Sequence, residues 1–158
     1  MRRTDREITD PNEIYRIICK CESCTLALFD TDYPYAVPLS FGADFDGERF
    51  TLYFHSAPEG KKSELMRRNP HAAFSMDCSH EIVTNDKACK SYMDFESVCG
   101  RGIITILNER DKAAALNILM KHYTGKSEHN FDEAAIKRTT VIRLDVTEIS
   151  GKRHKIMQ

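Results

Sequence analysis

Hydrophobic and polar residues alternate along several stretches of the chain, as they do in strands with one buried face. In residues 49–55 the apolar positions are Phe50, Leu52 and Phe54, while Thr51, Tyr53 and His55 take the other face. Residues 140–149 alternate in the same way. Apolar runs bounded by turn residues predict further strands at 25–29, 35–41, 71–77 and 92–107.

Helical spacing and capping residues mark the segments between these strands. Asp10 followed by Pro11 is typical of a helix start, and Asn108 and Gly125 bracket a second, longer helix. A short helical turn is expected over residues 131–137. We predict one domain over residues 1–158, with a core at about 10–150 and a basic tail at 151–158. The order of elements favours a mainly β fold with α-helices, namely a six-stranded antiparallel barrel whose first three strands form a meander.

Residues 52–62 read as a strand that ends at His55 and turns into a helix. Ser56 and Glu59 match a capping box, and Lys61 and Lys62 follow in the first turns. Backbone amides, the helix dipole and two ammonium groups would then suit a phosphate group. The alternative is an ordinary helix start whose lysines face solvent.

Pro38 lies inside the strand predicted at residues 35–41. Proline has no N–H to donate to a neighbouring strand, so it is confined to edges and bulges. We therefore expect this strand to be an edge strand, to be bulged, or to be open to a ligand at Pro38.

The composition is that of a globular protein with few charge-driven partners. The chain has 158 residues, 41% hydrophobic and 30% charged, with a formal net charge of −1. Neither nucleic-acid binding nor membrane binding is expected from such a charge and the lack of a long apolar run. The N-terminus does not resemble a signal peptide, and a cytoplasmic location is expected.

Six cysteines are many for this length, and three of them are closely spaced at Cys19, Cys21 and Cys24. A metal site is one interpretation, with Cys78 and His80 as further ligands. The spacing lacks a second Cys-x-x-Cys, so we favour buried reduced thiols and predict no metal.

Four segments together resemble the pyridoxamine 5′-phosphate oxidase-related split-barrel flavoproteins, and most closely their 5-nitroimidazole-resistance branch. These segments are residues 35–42, 52–62, 92–100 and 147–153. The similarity runs from about Arg2 to Arg153. It implies a six-stranded split β-barrel with flanking helices, a homodimer, and FMN bound at the dimer interface.

The resemblance also implies which residues bind FMN. The strand containing Val37, Pro38, Leu39 and Ser40 would lie against the flavin ring. Lys61 and Lys62 would hold the phosphate, with Ser97 at the phosphate or ribityl chain. The remaining expected contacts are Phe54, His55, Ser56 and Ala57.

The chain departs from true pyridoxamine phosphate oxidases in containing no tryptophan and in lacking their Arg/His/Trp-rich carboxyl-terminal segment. Vitamin B6 oxidation is therefore not expected. The leading hypothesis is an FMN-dependent oxidoreductase that reduces small electron-poor compounds such as nitroimidazoles. Because no Gly-x-Gly-x-x-Gly fingerprint is present, a nicotinamide donor would bind transiently over the flavin, or a separate reductase would supply the electrons. The alternative is a non-catalytic flavin or haem carrier, or a redox sensor.

His55 is the candidate catalytic residue. An imidazole at this position is able to orient a small-molecule substrate or donate a proton to it. The competing interpretation is a structural histidine held by hydrogen bonds.

Overall fold

The computed structural model describes residues 3–154, which form eight strands and four α-helices. The strands are β1 (Glu7–Ile8), β2 (Cys24–Leu28), β3 (Tyr35–Leu39), β4 (Phe41–Phe45), β5 (Phe50–Ser56), β6 (His71–Val83), β7 (Tyr92–Ile106) and β8 (Thr140–His154). The helices are α1 (Pro11–Ile18), α2 (Lys61–Arg68), α3 (Glu109–Thr124) and α4 (Glu133–Lys137).

All strands belong to one antiparallel sheet with the order β3-β2-β6-β7-β8-β5-β4, and β1 pairs with β8. The two edge strands of this path, β3 and β4, are separated in the chain by Ser40 alone. Because one residue joins the two edges, the sheet must curl until its edges meet at that point. This is the split barrel with flanking helices that the sequence predicted, although over residues 3–154 the sheet has eight strands rather than six.

The predicted three-stranded meander is wrong. Residues 35–41 do not form one strand between two neighbours. Instead β3 pairs with β2, whereas β4 pairs with β5, with Phe41 opposite Phe54. The chain therefore changes its pairing partner at Ser40. The other side of β5 pairs with the distant strand β8.

The core fills the inside of the curl with side chains from alternate strand positions and from α1. Asp10 caps α1 by accepting a hydrogen bond from the Asn12 amide at 3.0 Å, and the helix buries Ile14, Ile17 and Ile18. The fully buried side chains of the strands include Leu26, Phe41, Leu52, Phe54, Val98, Ile142 and Leu144.

Helix α3 packs on the outside of the sheet against β4 and β5. Asn108 caps its start by accepting from the Arg110 amide, and Gly125 ends it with a φ of 71°. The Tyr123 hydroxyl accepts from the Phe41 amide at 3.0 Å and donates to the Glu22 carbonyl at 2.9 Å. These bonds fix the helix next to the point where β4 begins.

Two strands run further than the sequence predicted. β6 continues to Val83 after an irregularity between Cys78 and Glu81, although the sequence predicted a strand only over residues 71–77. β8 continues through Lys152 to His154, so this part of the predicted basic tail pairs with β7. Lys155 and the rest of the tail lie outside the described residues.

Candidate functional site

The split in the barrel opens where β3 and β4 part at Ser40. β5 extends past the start of β4, so His55 and Ser56 have no partner on that side in β4. β3 meanwhile turns away to pair with β2. The open edge of β3 and the end of β5 are therefore not paired with each other, and we call this break in the sheet the gap.

Strand β3 forms one wall of this gap. It is an edge strand, as Pro38 predicted. Val37 and Leu39 are half-buried against the core, whereas Pro38 and Ser40 are exposed. The outer backbone edge of β3 thus pairs with no other strand among residues 3–154.

The turn from β5 into α2 forms the other wall. Ser56 is not the helix cap that was predicted, because it remains in β5 opposite Thr140. Its hydroxyl donates to the Ala57 carbonyl at 3.0 Å. The cap position is Gly60, with a φ of 116° that glycine adopts readily, and no side chain caps the helix. The predicted capping box with Glu59 is therefore wrong.

The two lysines at the start of α2 differ in their surroundings. The Lys61 ammonium lies 2.6 Å from the Asp30 carboxylate, which is also 3.6 Å from Arg68. This hydrogen bond raises the pKa of Lys61 and lowers that of Asp30. Lys62 makes no ion pair within residues 3–154, and burial lowers its pKa.

The start of α2 is therefore suited to an anion. The helix has eight residues and no side-chain cap, so its first amides are free of such a partner. Lys62 adds a half-buried positive charge without an acidic partner among the described residues. A phosphate group would satisfy both the amides and this charge.

His55 is exposed on β5, and its ring makes no hydrogen bond to another residue of the range 3–154. It faces α3 and α4, where it lines a small cavity. The structure thus gives no support to a hydrogen-bonded structural histidine.

Two of the predicted cofactor residues lie elsewhere. The Phe54 side chain is fully buried in the core and is not open to the gap. Ser97 lies level with Lys152 of β8, whereas Ser56 lies level with Thr140, twelve residues earlier on that strand (152 − 140). That separation is roughly 40 Å along the strand. Within one chain, Ser97 therefore does not join the residues around Lys62.

Arg153 takes part in a partly buried ionic cluster around the buried Glu96 carboxylate rather than extending freely from the tail. Its guanidinium Nε donates to Glu96 at 2.7 Å and its Nη1 donates to Glu13 at 2.6 Å. Glu96 also accepts from Lys20 at 2.6 Å and from Ser79 at 3.1 Å. Burial alone would raise the pKa of Glu96, but these hydrogen bonds outweigh it and hold the pKa at about 2.

The cysteines are arranged as free thiols. Cys21, Cys24 and Cys78 are buried, and burial raises the pKa of Cys24 to about 12, whereas Cys19 is exposed, contrary to the prediction. Over residues 3–154, no group of three or more His, Cys, Asp or Glu side chains is placed to hold a metal ion.

Sequence reasoning missed two features of this region. The contact of Asp30 with Lys61 was missed because it joins positions 31 residues apart (61 − 30), beyond the reach of local patterns. The cavity beside His55 was missed because its walls come from α3 and α4, far along the chain. The apolar spacing of α3 was the one signal available.

Comparison with known proteins identifies the family. A sequence model described as pyridoxamine 5′-phosphate oxidase matches residues 10–153. The chain therefore belongs to this family of split-barrel proteins. A comparison with curated proteins finds no match.

Solved structures agree with this assignment. A candidate 5-nitroimidazole antibiotic resistance protein from Bacteroides thetaiotaomicron is 32% identical, with a TM-score of 0.80 over 93% of this chain and 86% of that chain. An FAD and haem binding protein from Mycobacterium smegmatis has a TM-score of 0.83 at 17% identity, covering 96% and 74% of the two chains. A flavocytochrome from Azotobacter vinelandii has a TM-score of 0.79 at 17% identity, covering 99% and 72%. The last two show the shared fold.

None of the helices within residues 3–154 combines the length and hydropathy needed to cross a bilayer.

Proposed function

We propose that this protein binds FMN in the gap between β3 and the β5–α2 turn and reduces small electron-poor compounds such as nitroimidazoles. The observation that carries the proposal is the uncapped start of α2 beside Lys62, a half-buried cation without an acidic partner among the described residues. The similarity to a candidate 5-nitroimidazole resistance protein supports the substrate class.

The proposal assigns each part of FMN to residues along this gap. The amides of α2 and the Lys62 ammonium would hold the phosphate. The open edge of β3 from Val37 to Ser40 would lie along the flavin ring, with Ser56 and Ala57 opposite. When bound, the flavin supplies the transfer of electrons from a reduced nicotinamide to the substrate.

His55 would supply the proton chemistry. Its ring is exposed near the split and has no hydrogen-bond partner in the described range, so it is free to meet a substrate. A neutral imidazole orients a polar substrate atom, and an imidazolium donates a proton to a reduced oxygen.

A homodimer is part of the proposal, because the outer sheet face is exposed and made of small side chains. Pro38, Thr25, Ser75 and Cys99 are successive cross-strand neighbours, so they share this face, and all are exposed. A second copy would cover it and bring its own Ser97, which lies on the same strand face as Cys99, toward the first chain's FMN.

Two separate variants test the proposal. His55→Ala tests the catalytic role, and Ser75→Arg tests the exposed sheet face. We expect His55→Ala to retain FMN and lose nitroimidazole-dependent oxidation of reduced nicotinamide. Ser75→Arg should run as a monomer by light scattering and lose FMN, while circular dichroism shows an unchanged fold. Unchanged turnover in His55→Ala would remove its catalytic role. If the wild-type protein is a monomer and still binds FMN, the proposed dimer interface is wrong.

A further inference from the structure

The geometry points to a substrate pocket between His55, α3 and α4 that selects small uncharged molecules. This inference rests on the proposed function, since it assigns the compound that the flavin would reduce. The cavity has a volume of about 210 Å³ and lies on the outer side of β5. That space suits a single ring with one or two substituents.

The walls are mostly apolar, and the polar lining residues Asp132 and Thr139 each make a hydrogen bond to the backbone of α4. Leu116, Leu119 and Met120 of α3 face Phe131 and the α4 residues Ala135 and Ile136. Asp132 accepts the Ala135 amide at 2.8 Å as the cap of α4, and Thr139 donates to the Ala135 carbonyl at 2.8 Å.

His55 is therefore the polar group that a ligand in this cavity would meet. A ligand needs one acceptor or donor directed at the imidazole and otherwise an apolar surface. Asp132 is the charged residue of the lining, and its carboxylate disfavours an anion. The cavity thus favours a neutral ring with a polar substituent over its carboxylate analogue.

The first test compares two probes of matched shape, 4-nitrobenzamide and 4-nitrobenzoate. Each is titrated into FMN-supplemented protein by calorimetry, and His55 ring signals are followed by NMR. We expect the amide to bind about tenfold more tightly than the carboxylate and to shift the His55 signals. Equal affinities, or shifts that leave His55 unaffected, would overturn the proposal.

The second test fills the cavity from α4. Ala135→Leu adds bulk to the wall at an exposed helix position, where leucine is well tolerated. Ala134→Leu makes the same change on the same helix away from the cavity. We expect Ala135→Leu to weaken the binding of 4-nitrobenzamide about tenfold and Ala134→Leu to leave its affinity unchanged. Wild-type affinity in Ala135→Leu would refute the pocket.

Flavin absorbance of the same samples separates the two proposals. If FMN is retained and Ala135→Leu binds the amide normally, the pocket is wrong and the proposed function stands. If no FMN binds and the variants still discriminate, the pocket stands and the proposed function is wrong.

Discussion

The Lys61 ammonium lies 2.6 Å from the Asp30 carboxylate, whereas the neighbouring Lys62 has no acidic partner within residues 3–154. Adjacent lysines at one helix start thus have different electrostatic roles. Lys61 ties α2 to the end of β2, and its charge is balanced. Lys62 carries the charge that remains for an anion.

Lys62→Ala should weaken FMN binding by about tenfold or more, because a charge-assisted hydrogen bond to phosphate is lost. Lys61→Ala should have a smaller effect, since Asp30 already neutralises that charge. Flavin fluorescence titration measures both. Lys126→Ala, an exposed change in the loop after α3, is the control.

Riboflavin, which lacks the phosphate, tests whether Lys62 acts on the phosphate of FMN. Its affinity should be the same in wild type and Lys62→Ala. An equal loss for riboflavin and FMN would contradict phosphate recognition by Lys62.

Gly42→Ala should destabilise the fold by about 2 kcal/mol or more, because overpacked side chains force backbone shifts. A Cβ atom on Gly42 would lie 2.5 Å from the backbone nitrogen of Leu119 and 2.8 Å from the Ile118 carbonyl carbon. Urea unfolding measures the loss. Truncating Leu119 to Ala should not rescue Gly42→Ala, since the overlap involves backbone. Rescue would show that the contact is with a side chain instead.

Glu96→Gln should make stability less dependent on acid pH. The pKa of Glu96 is lowered from 4.5 to about 2 in the folded chain. Its stabilising effect is therefore present above pH 4.5 and is lost as the pH falls toward 2. A shift of this size corresponds to about 3 kcal/mol at neutral pH.

Urea unfolding at several pH values checks this expectation. Wild type should exceed Glu96→Gln at pH 7, and the gap should close toward pH 2. The control is Glu148→Gln, because Glu148 pairs with Arg101 at the exposed surface and should change stability by about 0.5 kcal/mol or less. A constant gap at all pH values would show that Glu96 acts through packing rather than charge.

The sequence predicted the elements that depend on local signals. Asp10, Asn108 and Gly125 bound helices as expected, because caps act over a few residues. The alternation in residues 49–55 predicted the strand that the structure has as β5, from Phe50 to Ser56. Pro38 correctly indicated an edge strand, since its missing N–H restricts it locally.

The errors arose where distant pairing decides the structure. Residues 35–41 divide at Ser40 into two strands. β3 pairs with β2 at one end of the sheet, and β4 pairs with β5 at the other end. Ser56 has the composition of a helix cap, but pairing with Thr140 keeps it in β5. In the candidate site, the charge at Lys62 was predictable from the helix start. The neutralisation of Lys61 by Asp30 depends on the fold.

The most direct measurement is the visible absorption spectrum of the freshly purified protein, followed by release and identification of the chromophore. We expect the bands of oxidised flavin, with FMN released at close to one per chain. A Soret band would indicate haem instead. A colourless protein that also fails to bind added FMN would contradict the proposed FMN binding. Lys62 would then belong to an ordinary helix start.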